Sequence, residues 1–219
     1  MSERAPGSRL LQQFARFPRR GQVKTRLARR VGEASAYEVH TELVAQTAAT
    51  LVRSGVAPPE LWLDQLGRHA LIERILHSGM AGPNRQEGAD LGARMLSALQ
   101  SGLERAESVV LVGSDCPGLS AAYLEEAFQH LETHDLVLGP AEDGGYVLIG
   151  ARKLAPEVFQ RVPWGEGTVL AATERNAQAV DLRVARLAPR YDVDEWEDLQ
   201  RWRAEQTLDR VRDGAAAQV

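Results

Sequence analysis

The sequence predicts a three-layer α/β/α fold, in which helices cover both faces of a mostly parallel central sheet. Short apolar segments with strand character alternate along the chain with longer segments whose apolar residues recur at helical spacing. One segment, residues 109–112, is an unbroken run of valine and leucine, which is typical of a strand buried on both faces of a parallel sheet. No repeat, long linker or low-complexity segment marks a second domain. We therefore expect a single domain over residues 1–219, with a core at about 10–205.

The individual elements follow from the same patterns, taken in order along the chain. A weak first strand at 10–14 leads through a loop to a long helix at 27–53, which we expect Gly55 to end. Further strands are predicted at 60–64, 109–112, 136–138, 146–149 and 184–187. Further helices are predicted at 69–77, 90–102, 120–134, 154–159, 167–176 and 195–212. Residues 79–88 are rich in glycine and are predicted as a loop, and residues 213–219 as a frayed tail.

The composition excludes several functional classes. The chain has 26 lysines and arginines against 30 aspartates and glutamates, a net charge of −4, so we expect no nucleic-acid partner. The single cysteine, Cys116, excludes an internal disulfide and a cysteine-rich zinc site. No apolar stretch has the length of a membrane span, and residues 1–9 lack the apolar region of a signal peptide. A cytoplasmic protein fits these features, and the sequence leaves a homodimer open.

A carboxylate follows the unbroken apolar strand directly. Residues 113–117 read Gly-Ser-Asp-Cys-Pro, so Asp115 lies just past the C-terminal end of that strand, where open α/β sheets bind ligands. Pro117 breaks the strand and Ser120 can cap the next helix, which would hold Asp115 on a short, stiff turn. Such a position suits a Mg²⁺ ligand that holds a phosphate. An aspartate that caps its own turn fits the pentapeptide about equally well.

A basic loop precedes the first long helix. Five cations surround Gly21 within eleven positions: Arg16, Arg19, Arg20, Lys24 and Arg26. A glycine-containing loop at a helix N-terminus offers phosphate its backbone N–H groups and a positive dipole, and the cations add charge-assisted contacts. The spacing of a Walker A motif is absent, so this is not a P-loop, and a solvated basic turn remains the alternative.

Two further segments carry weaker signals. In residues 86–95, Asp90 taken alone is best explained as the N-cap of the following helix. That helix is expected to turn four apolar residues inward: Leu91, Met95, Leu96 and Leu99. In residues 139–146, an Asp-Gly-Gly turn at Asp143 predicts a β-hairpin. A functional role is compatible with the hairpin, because adjacent glycines let the backbone approach a sugar or phosphate closely.

A pair of carboxylates lies near the end of the chain. Asp192 and Asp194 alternate on a segment predicted to be extended, so their side chains can face the same side. Placed near Asp115, either would complete a Mg²⁺ site of oxygen ligands. Alternatively, Asp194 caps the closing helix and Glu197 completes a capping box.

Taken together, these segments resemble a bacterial family of GT-A-fold, glycosyltransferase-like proteins, formerly domain of unknown function 2064, of the nucleotide-diphospho-sugar transferase superfamily. The family pattern runs F-A-[KR]-x-P-x-x-G-x-V-K-T-R-L, Q-x-x-x-D-L-G-x-R-M, G-S-D-C-P, G-P-x-x-D-G-G-Y-x-L-I-G and D-V-D-T-x-x-D-L. The chain matches nearly all of it, in order, from Phe14 to Leu199. Two departures stand out: residues 11–13 are more polar than a typical first strand, and Glu195 replaces the usual threonine.

The resemblance implies a GT-A fold and a role for each matching residue. The implied nucleotide-binding residues are Arg16, Gly21, Lys24, Arg26, Gln86, Asp90 and Gly144. The implied catalytic residues are Lys24, Asp115 and Asp143. The implied ligands of Mg²⁺ or Mn²⁺ are Asp115, Asp192 and Asp194. Gln86 and Asp90 would lie near the nucleoside, and Asp143 and Gly144 on the side of the acceptor or sugar.

The activity implied by the resemblance is a metal-dependent transferase that binds an NDP-sugar or NTP and a small acceptor. Relatives of the family include sugar transferases and the nucleotidyltransferases that make molybdenum-cofactor and 2-phospholactate nucleotides, so both reactions stay open. A nucleotide-binding regulatory protein without turnover is a further alternative. A full set of Asp115, Asp143 and Asp194 favours the enzyme, because a protein that only binds nucleotide needs no such triplet.

Overall fold

A seven-stranded sheet forms the centre of the molecule in the computed structural model, which describes residues 7–216, with side chains as far as Leu208. The strands are β1 (Arg9–Ala15), β2 (Pro59–Leu63), β3 (Ala81–Arg85), β4 (Ser108–Val112), β5 (Leu136–Pro140), β6 (Tyr146–Ala151) and β7 (Val184–Arg186). The helices are α1 (Thr25–Ser54), α2 (Ala70–His77), α3 (Leu91–Leu103), α4 (Ala121–Leu131), α5 (Val169–Ala179) and α6 (Trp196–Ala216), with a 3₁₀ helix at Pro156–Phe159.

The sheet has the strand order β3-β2-β1-β4-β6-β5-β7. Strand β6 runs antiparallel to its neighbours β4 and β5, whereas the other adjacent strands are parallel. The prediction of a mostly parallel sheet is therefore confirmed. Because β1, β2 and β4 are parallel, the segments that follow them leave the sheet at the same edge, and the residues of those segments can form one site.

Helices cover both faces of the sheet, which confirms the three-layer prediction. Helices α1, α2 and α4 pack on one face with Val110 and Val112 of β4. Helices α3 and α5 pack on the other face with Val109 and Leu111. Alternate residues of β4 thus enter two separate cores, and this is why the strand is apolar throughout.

The prediction of a loop at residues 79–88 is wrong, because the segment contains β3. This strand lies at the edge of the sheet and pairs with β2 on one side. Pro83 is tolerated there, since an edge strand has one hydrogen-bonding neighbour rather than two. Gly82 has a φ of 108°, and a Cβ at this position would lie 2.7 Å from the carbonyl oxygen of Leu61. The residues that suggested a loop are thus the ones that this edge strand requires.

Several element ends differ from the predictions. Gly55 ends α1 with a φ of 63°, as predicted, but Gly32 interrupts the helix with a φ of 82° and a ψ of 158°. Helix α4 ends at Leu131, three residues before the predicted end. Leu91 at the start of α3 is 46% exposed, so the prediction that it faces inward is wrong.

The closing helix α6 extends further than the sequence predicts. Helix α6 continues to Ala216, into the segment predicted to fray, and residues 217–219 of that prediction lie outside the described residues. Within residues 7–216, none of the helices combines the length and the apolar character that crossing a membrane requires.

The polar residues of β1 have a structural explanation. Gln12 Nε2 donates to the carbonyl oxygen of Ala98 in α3 at 2.8 Å. Gln13 Nε2 donates to the carbonyl oxygen of Val44 in α1 and to Ser114 Oγ, both at 3.0 Å. The two amides tie β1 to the helices on opposite faces of the sheet. These hydrogen bonds satisfy the two buried Nε2 groups, whereas Gln12 Oε1 and Gln13 Oε1 are buried without a hydrogen-bond partner among the described residues.

Candidate active site

A lysine and two aspartates from distant parts of the chain meet beyond the end of β4. Lys24 Nζ lies 2.7 Å from Asp115 Oδ1 and 2.9 Å from Asp194 Oδ1. The Lys24 side chain is 4% exposed, whereas those of Asp115 and Asp194 are 41% and 44% exposed. The buried ammonium therefore lies beneath two carboxylates that each remain open to solvent.

The backbone around this cluster explains the convergence. Lys24 adopts left-handed dihedral angles, φ 48° and ψ 45°, immediately before α1. Asp115 lies on the turn after β4, and its carbonyl oxygen accepts a 2.9 Å hydrogen bond from the backbone N–H of Val193. That bond fastens the turn to the segment that carries Asp192 and Asp194. The predicted proximity of Asp115 and Asp194 is thus present in the structure.

The charges of the cluster perturb one another. Burial opposes ionisation of Lys24, but Asp115 and Asp194 outweigh it and raise the Lys24 pKa. Burial likewise opposes ionisation of Asp115, but Lys24 outweighs it and holds the Asp115 pKa below its ordinary value. Burial and the negative charges of Asp115 and Asp194 raise the pKa of Asp192 to about 8. One ammonium thus pairs with two carboxylates, and a third carboxyl beside them, Asp192, ionises only at raised pH, so the site is short of positive charge.

The carboxylates fit a divalent metal in donor type and in charge. Asp115 Oδ1 is buried and accepts no directed hydrogen bond, although the Lys24 ammonium lies close to it. Carboxylate oxygens are the donors that Mg²⁺ and Mn²⁺ prefer. In the described part of the chain, no three histidine, cysteine, aspartate or glutamate side chains are arranged as a ready metal site. Lys24 Nζ instead lies between Asp115 and Asp194, in the place of a shared cation.

The competing helix-cap interpretation of Asp194 does not match the contacts. The Asp194 side chain accepts a hydrogen bond from Lys24 Nζ. Asp198 Oδ2 reaches back to the backbone N–H groups of Asp194 at 3.1 Å and Glu195 at 2.8 Å. The first turn of α6 is therefore stabilised by Asp198, and the predicted capping box with Glu197 is wrong.

An apolar cleft of about 210 Å³ lies next to the carboxylates. Its walls come from β1, β4, β6, the start of α3, and the segment before α5. The aromatic and sulfur-containing side chains in the lining are Phe14, Met95, Tyr146 and Trp164. Asp143 and Asp192 also line it, so the cleft and the charged cluster share one boundary.

The Asp143 turn joins β5 and β6 as the predicted hairpin. Asp143 Oδ1 accepts a 2.9 Å hydrogen bond from the backbone N–H of Gly145, which orients the carboxylate at the cleft. Gly144 has a φ of 88°, and a Cβ there would lie 2.1 Å from the carbonyl oxygen of Gly167. The close backbone approach that Gly144 permits is therefore made by the segment before α5.

The remaining predicted site residues are dispersed. Arg16 is exposed, yet its charge is near enough to Asp115 to lower the pKa of that carboxyl, after Lys24 has its larger effect. Gly21 lies in the exposed loop with a φ of 72°. Arg26 lines a different groove, together with Arg29 and Trp196. The structure thus brings Arg16 toward the cluster and leaves Arg26 in a separate groove.

Gln86 and Asp90 have structural partners. Gln86 is buried, and its Nε2 donates to the carbonyl oxygens of Ala15 at 3.2 Å and Trp62 at 3.0 Å. Asp90 caps α3 by accepting a 2.8 Å hydrogen bond from the backbone N–H of Ala93. The cap interpretation of Asp90 is confirmed, and the nucleoside contacts of both residues stay predictions.

Sequence reasoning missed the aromatic wall of the cleft. Trp164 lies in the segment Pro163-Trp164-Gly165, and its ring stands nearly perpendicular to Tyr146 at a centroid distance of 6.5 Å. A tryptophan between proline and glycine in a polar segment was an available signal, because large aromatic residues in such loops are often exposed for binding.

The comparisons with known proteins agree with this architecture. Residues 47–166, more than half of the chain, match the model of the family described as an uncharacterized protein conserved in bacteria (DUF2064). The chain belongs to this family. The resemblance found in the sequence motifs is thereby confirmed. The search of curated proteins gave no match.

Solved structures share the fold of this family member. A candidate nucleotide-diphospho-sugar transferase of Desulfovibrio desulfuricans G20 is 33% identical, with 87% of this chain and 84% of that chain covered and a TM-score of 0.77. A nucleotidyl transferase of Methanothermobacter thermautotrophicus is 18% identical, with 90% and 97% covered and a TM-score of 0.60. The 4-diphosphocytidyl-2C-methyl-D-erythritol synthase of Anaerococcus prevotii is 12% identical, with 92% and 99% covered and a TM-score of 0.59. The last two likenesses concern the fold alone.

Proposed function

We propose that this DUF2064 family member is a divalent-metal-dependent, glycosyltransferase-like nucleotide-diphospho-sugar transferase that binds an NDP-sugar or NTP. The observation that carries the proposal is the meeting of Lys24, Asp115 and Asp194 beyond the end of β4. A cation between two solvent-open carboxylates at this edge of an α/β sheet suits a metal-bound phosphate. The 33% identity to a candidate nucleotide-diphospho-sugar transferase supports the same activity.

The donor phosphates would lie between the carboxylates and the basic loop. Asp115 and Asp194, with Asp192 beside them, would hold Mg²⁺ or Mn²⁺. The metal, when bound, supplies positive charge that stabilises the leaving diphosphate. Lys24 would pass from its carboxylate partners to a phosphate oxygen, with Arg16 at the open side of the cluster and the Gly21 loop adjacent. Arg26 contributes only if the nucleotide extends into its separate groove, and Gln86 and Asp90 remain proposed nucleoside neighbours.

Asp143 is the residue we assign to the acceptor. Its carboxylate is exposed at the cleft and is oriented by the backbone N–H of Gly145. In sugar transfer, the acceptor oxygen forms a bond to the anomeric carbon as the bond from that carbon to the diphosphate oxygen breaks. The nucleoside diphosphate leaves with the electron pair of the broken bond. Asp143 takes the proton of the acceptor hydroxyl, which is general-base catalysis.

A thermal-shift panel tests the proposal. The intact protein is heated with nucleoside mono-, di- and triphosphates and NDP-sugars, each with and without Mg²⁺ or Mn²⁺. A ligand at one hundred times its Kd adds about 2.7 kcal/mol to the free energy of unfolding, so binding raises Tm. We expect a metal-dependent rise for at least one diphosphate compound. A panel without any metal-dependent rise would contradict the proposed function. Release of NDP from an NDP-sugar, rather than pyrophosphate from an NTP, then identifies sugar transfer.

A further inference from the structure

We propose that the apolar cleft beside Asp143 binds a small acceptor that is uncharged or cationic, has an apolar body, and carries the reacting hydroxyl. Phosphorylated and other anionic acceptors would be excluded. This inference rests on the proposed transferase function and specifies which acceptors the same site admits. Its evidence is the charge, the aromatic wall and the size of the cleft.

The ionisable side chains that line the cleft are all carboxylic acids. They are Asp143, Glu166 and Asp192, and the negative charge argued here is that of Asp143 and Glu166. Among the described residues, the lining contains no lysine, arginine or histidine. Lys24 pairs with Asp115 and Asp194 on the donor side of the boundary, where the proposed function assigns it to a donor phosphate. An acceptor phosphate would therefore enter a negative field without a positive partner, which is unfavourable where the surroundings are largely apolar.

The remaining lining is apolar and rigid at its aromatic wall. Trp164 stacks on Phe159 with a centroid distance of 6.4 Å and an interplanar angle of 29°. The ring also packs against α3, where a Cβ at Gly92 would lie 2.5 Å from Trp164 Cζ2. Only glycine at position 92 leaves room for this ring position. The indole is thus held between two elements and presents a fixed apolar surface to a ligand, which lowers the entropy lost on binding.

The size of the cleft limits the acceptor. Its volume of about 210 Å³ lies below the roughly 300–1,000 Å³ of pockets that take drug-sized ligands. A compound of one ring or a short branched chain would fill it. A second nucleotide or a long phosphorylated metabolite would not.

These features also separate the two reactions that the fold can host. In nucleotidyl transfer to a phosphate, an acceptor phosphate oxygen attacks the α-phosphorus of an NTP and pyrophosphate leaves, so the acceptor is itself an anion. In sugar transfer to a hydroxyl, the acceptor is neutral and its proton passes to a carboxylate such as Asp143. The acidic, apolar cleft suits the second reaction.

A matched set of small probes tests the inference. Benzyl alcohol, benzylamine and benzyl phosphate share one ring and differ in charge. Each is titrated into the protein with and without Mg²⁺ and the nucleoside diphosphate that gives the largest thermal shift. The readout is the NMR signal of the Trp164 indole N–H, assigned with the Trp164→Phe variant. Occupying the donor side with nucleotide prevents benzyl phosphate from binding at Lys24 and being counted as a cleft ligand.

We expect the alcohol and the amine to shift the Trp164 signal with affinities at least about tenfold higher than that of benzyl phosphate. Glu166→Lys should narrow this difference, because it places a cation in the lining. Glu166→Gln should narrow it less. Glu157→Lys makes the same charge change at an exposed site that does not line the cleft, and it should leave the difference unchanged.

Two results would overturn the inference. One is benzyl phosphate binding as tightly as the alcohol, and the other is an absence of saturable binding by the alcohol and the amine. Either result leaves the proposed function intact if nucleotides still give a metal-dependent thermal shift. Loss of that shift with normal probe binding would instead count against the proposed function.

Discussion

The two sides of the candidate site use the same sheet edge but differ in almost every physical property. On the donor side, Lys24, Asp115 and Asp194 form a charged cluster in which a buried ammonium lies within 3 Å of two carboxylate oxygens. On the side that we propose for the acceptor, the cleft of about 210 Å³ is lined mainly by aromatic and aliphatic side chains, and its ionisable side chains are all acids. Asp192 lies at the boundary and belongs to both.

This contrast indicates how one edge can treat two substrates differently. Excess negative charge on the donor side can be neutralised by a divalent cation, which then binds the phosphates of the donor. The acidic groups of the apolar side have no cation beside them in the lining, so this side favours an acceptor that brings no negative charge. The predictions below change one side at a time and ask whether the other side responds.

The largest effect is expected from Asp115→Asn, which breaks the donor side. Removing the carboxylate that we assign to the metal should weaken Mg²⁺-dependent nucleotide binding by more than about 100-fold, because changes to groups that only support a metal ligand already cost about 10–100-fold. Calorimetric titration measures the affinity. Asp181→Asn is the control, because Asp181 is exposed after α5, outside the candidate site, and asparagine tolerates its φ of 58°. If Asp115→Asn binds Mg²⁺-nucleotide normally, Asp115 is not a ligand.

Lys24→Ala should have the next largest effect. We expect nucleotide binding to weaken by about 1.5–3 kcal/mol, the range for a hydrogen bond to a charged group. The loss should be greater for di- and triphosphates than for nucleosides. Lys153→Ala is the control. Lys153 is the only other lysine of the chain, and it pairs with Asp135 rather than with the residues of the charged cluster. An equal loss for nucleosides would mean that Lys24 acts on the fold or on the base.

A smaller effect is expected from pH, through Asp192. Its pKa in the folded protein is about 8, against an ordinary value of 3.8, so the folded state holds a proton that the unfolded state releases between these values. The free energy of unfolding should therefore fall as pH rises from about 4 to about 8. In Asp192→Asn, the decrease in the free energy of unfolding between pH 4 and pH 8 should be smaller by about 1–3 kcal/mol. This range is set below the value that the full pKa shift would give, because Asp192 is partly exposed.

Urea denaturation at several pH values measures this dependence. A metal ion binds the deprotonated form of Asp192, so binding of Mg²⁺-nucleotide to the wild type should release protons below pH 8. Binding to the Asp192→Asn variant should release fewer protons. An identical pH slope for the wild type and Asp192→Asn would show that the carboxyl titrates normally.

Trp164→Phe should have the smallest effect on nucleotide affinity, because it changes only the wall of the cleft. The exchange shortens the aromatic wall and should cost about 1 kcal/mol of stability, since one ring replaces two at a partly exposed site. Binding of benzyl alcohol, followed by calorimetry, should weaken, and nucleotide affinity should not change. A parallel loss of nucleotide affinity would mean that the two sides are not separate.

Much of the fold was predictable because local patterns and tertiary structure agree. The apolar β4, the Gly55 end of α1 and the hairpin at Asp143 all follow from short segments. Strand β3 was missed, because Gly82 and Pro83 indicate a loop unless the strand is known to lie at an edge. The inward position of Leu91 was also predicted wrongly, since helical periodicity does not reveal that a cleft opens at the start of α3.

The sequence singled out the three residues of the charged cluster but not the contacts between them. The spacing of Asp192 and Asp194 indicated a shared face, but no local pattern shows that Lys24, 170 positions earlier, would donate to Asp194. The sequence also did not indicate that Asp198 would accept the hydrogen bonds at the start of α6. Asp198 is the third residue of that helix, where a capping box favours glutamate or glutamine. Trp164 joins Tyr146 and Phe159 only through tertiary packing.

Asp194→Ser separates a metal-binding role of Asp194 from a structural one. The exchange removes the Asp194 carboxylate, while Asp198 remains to hold the first turn of α6 and Asp115 remains to pair with Lys24. The measurement is the Mg²⁺-nucleotide affinity of the variant by calorimetry, beside its Tm. We expect a Tm close to that of the wild type and a loss of metal-dependent binding. Normal metal-dependent binding with an unchanged Tm would contradict the claim that Asp194 and Lys24 belong to a metal-nucleotide site.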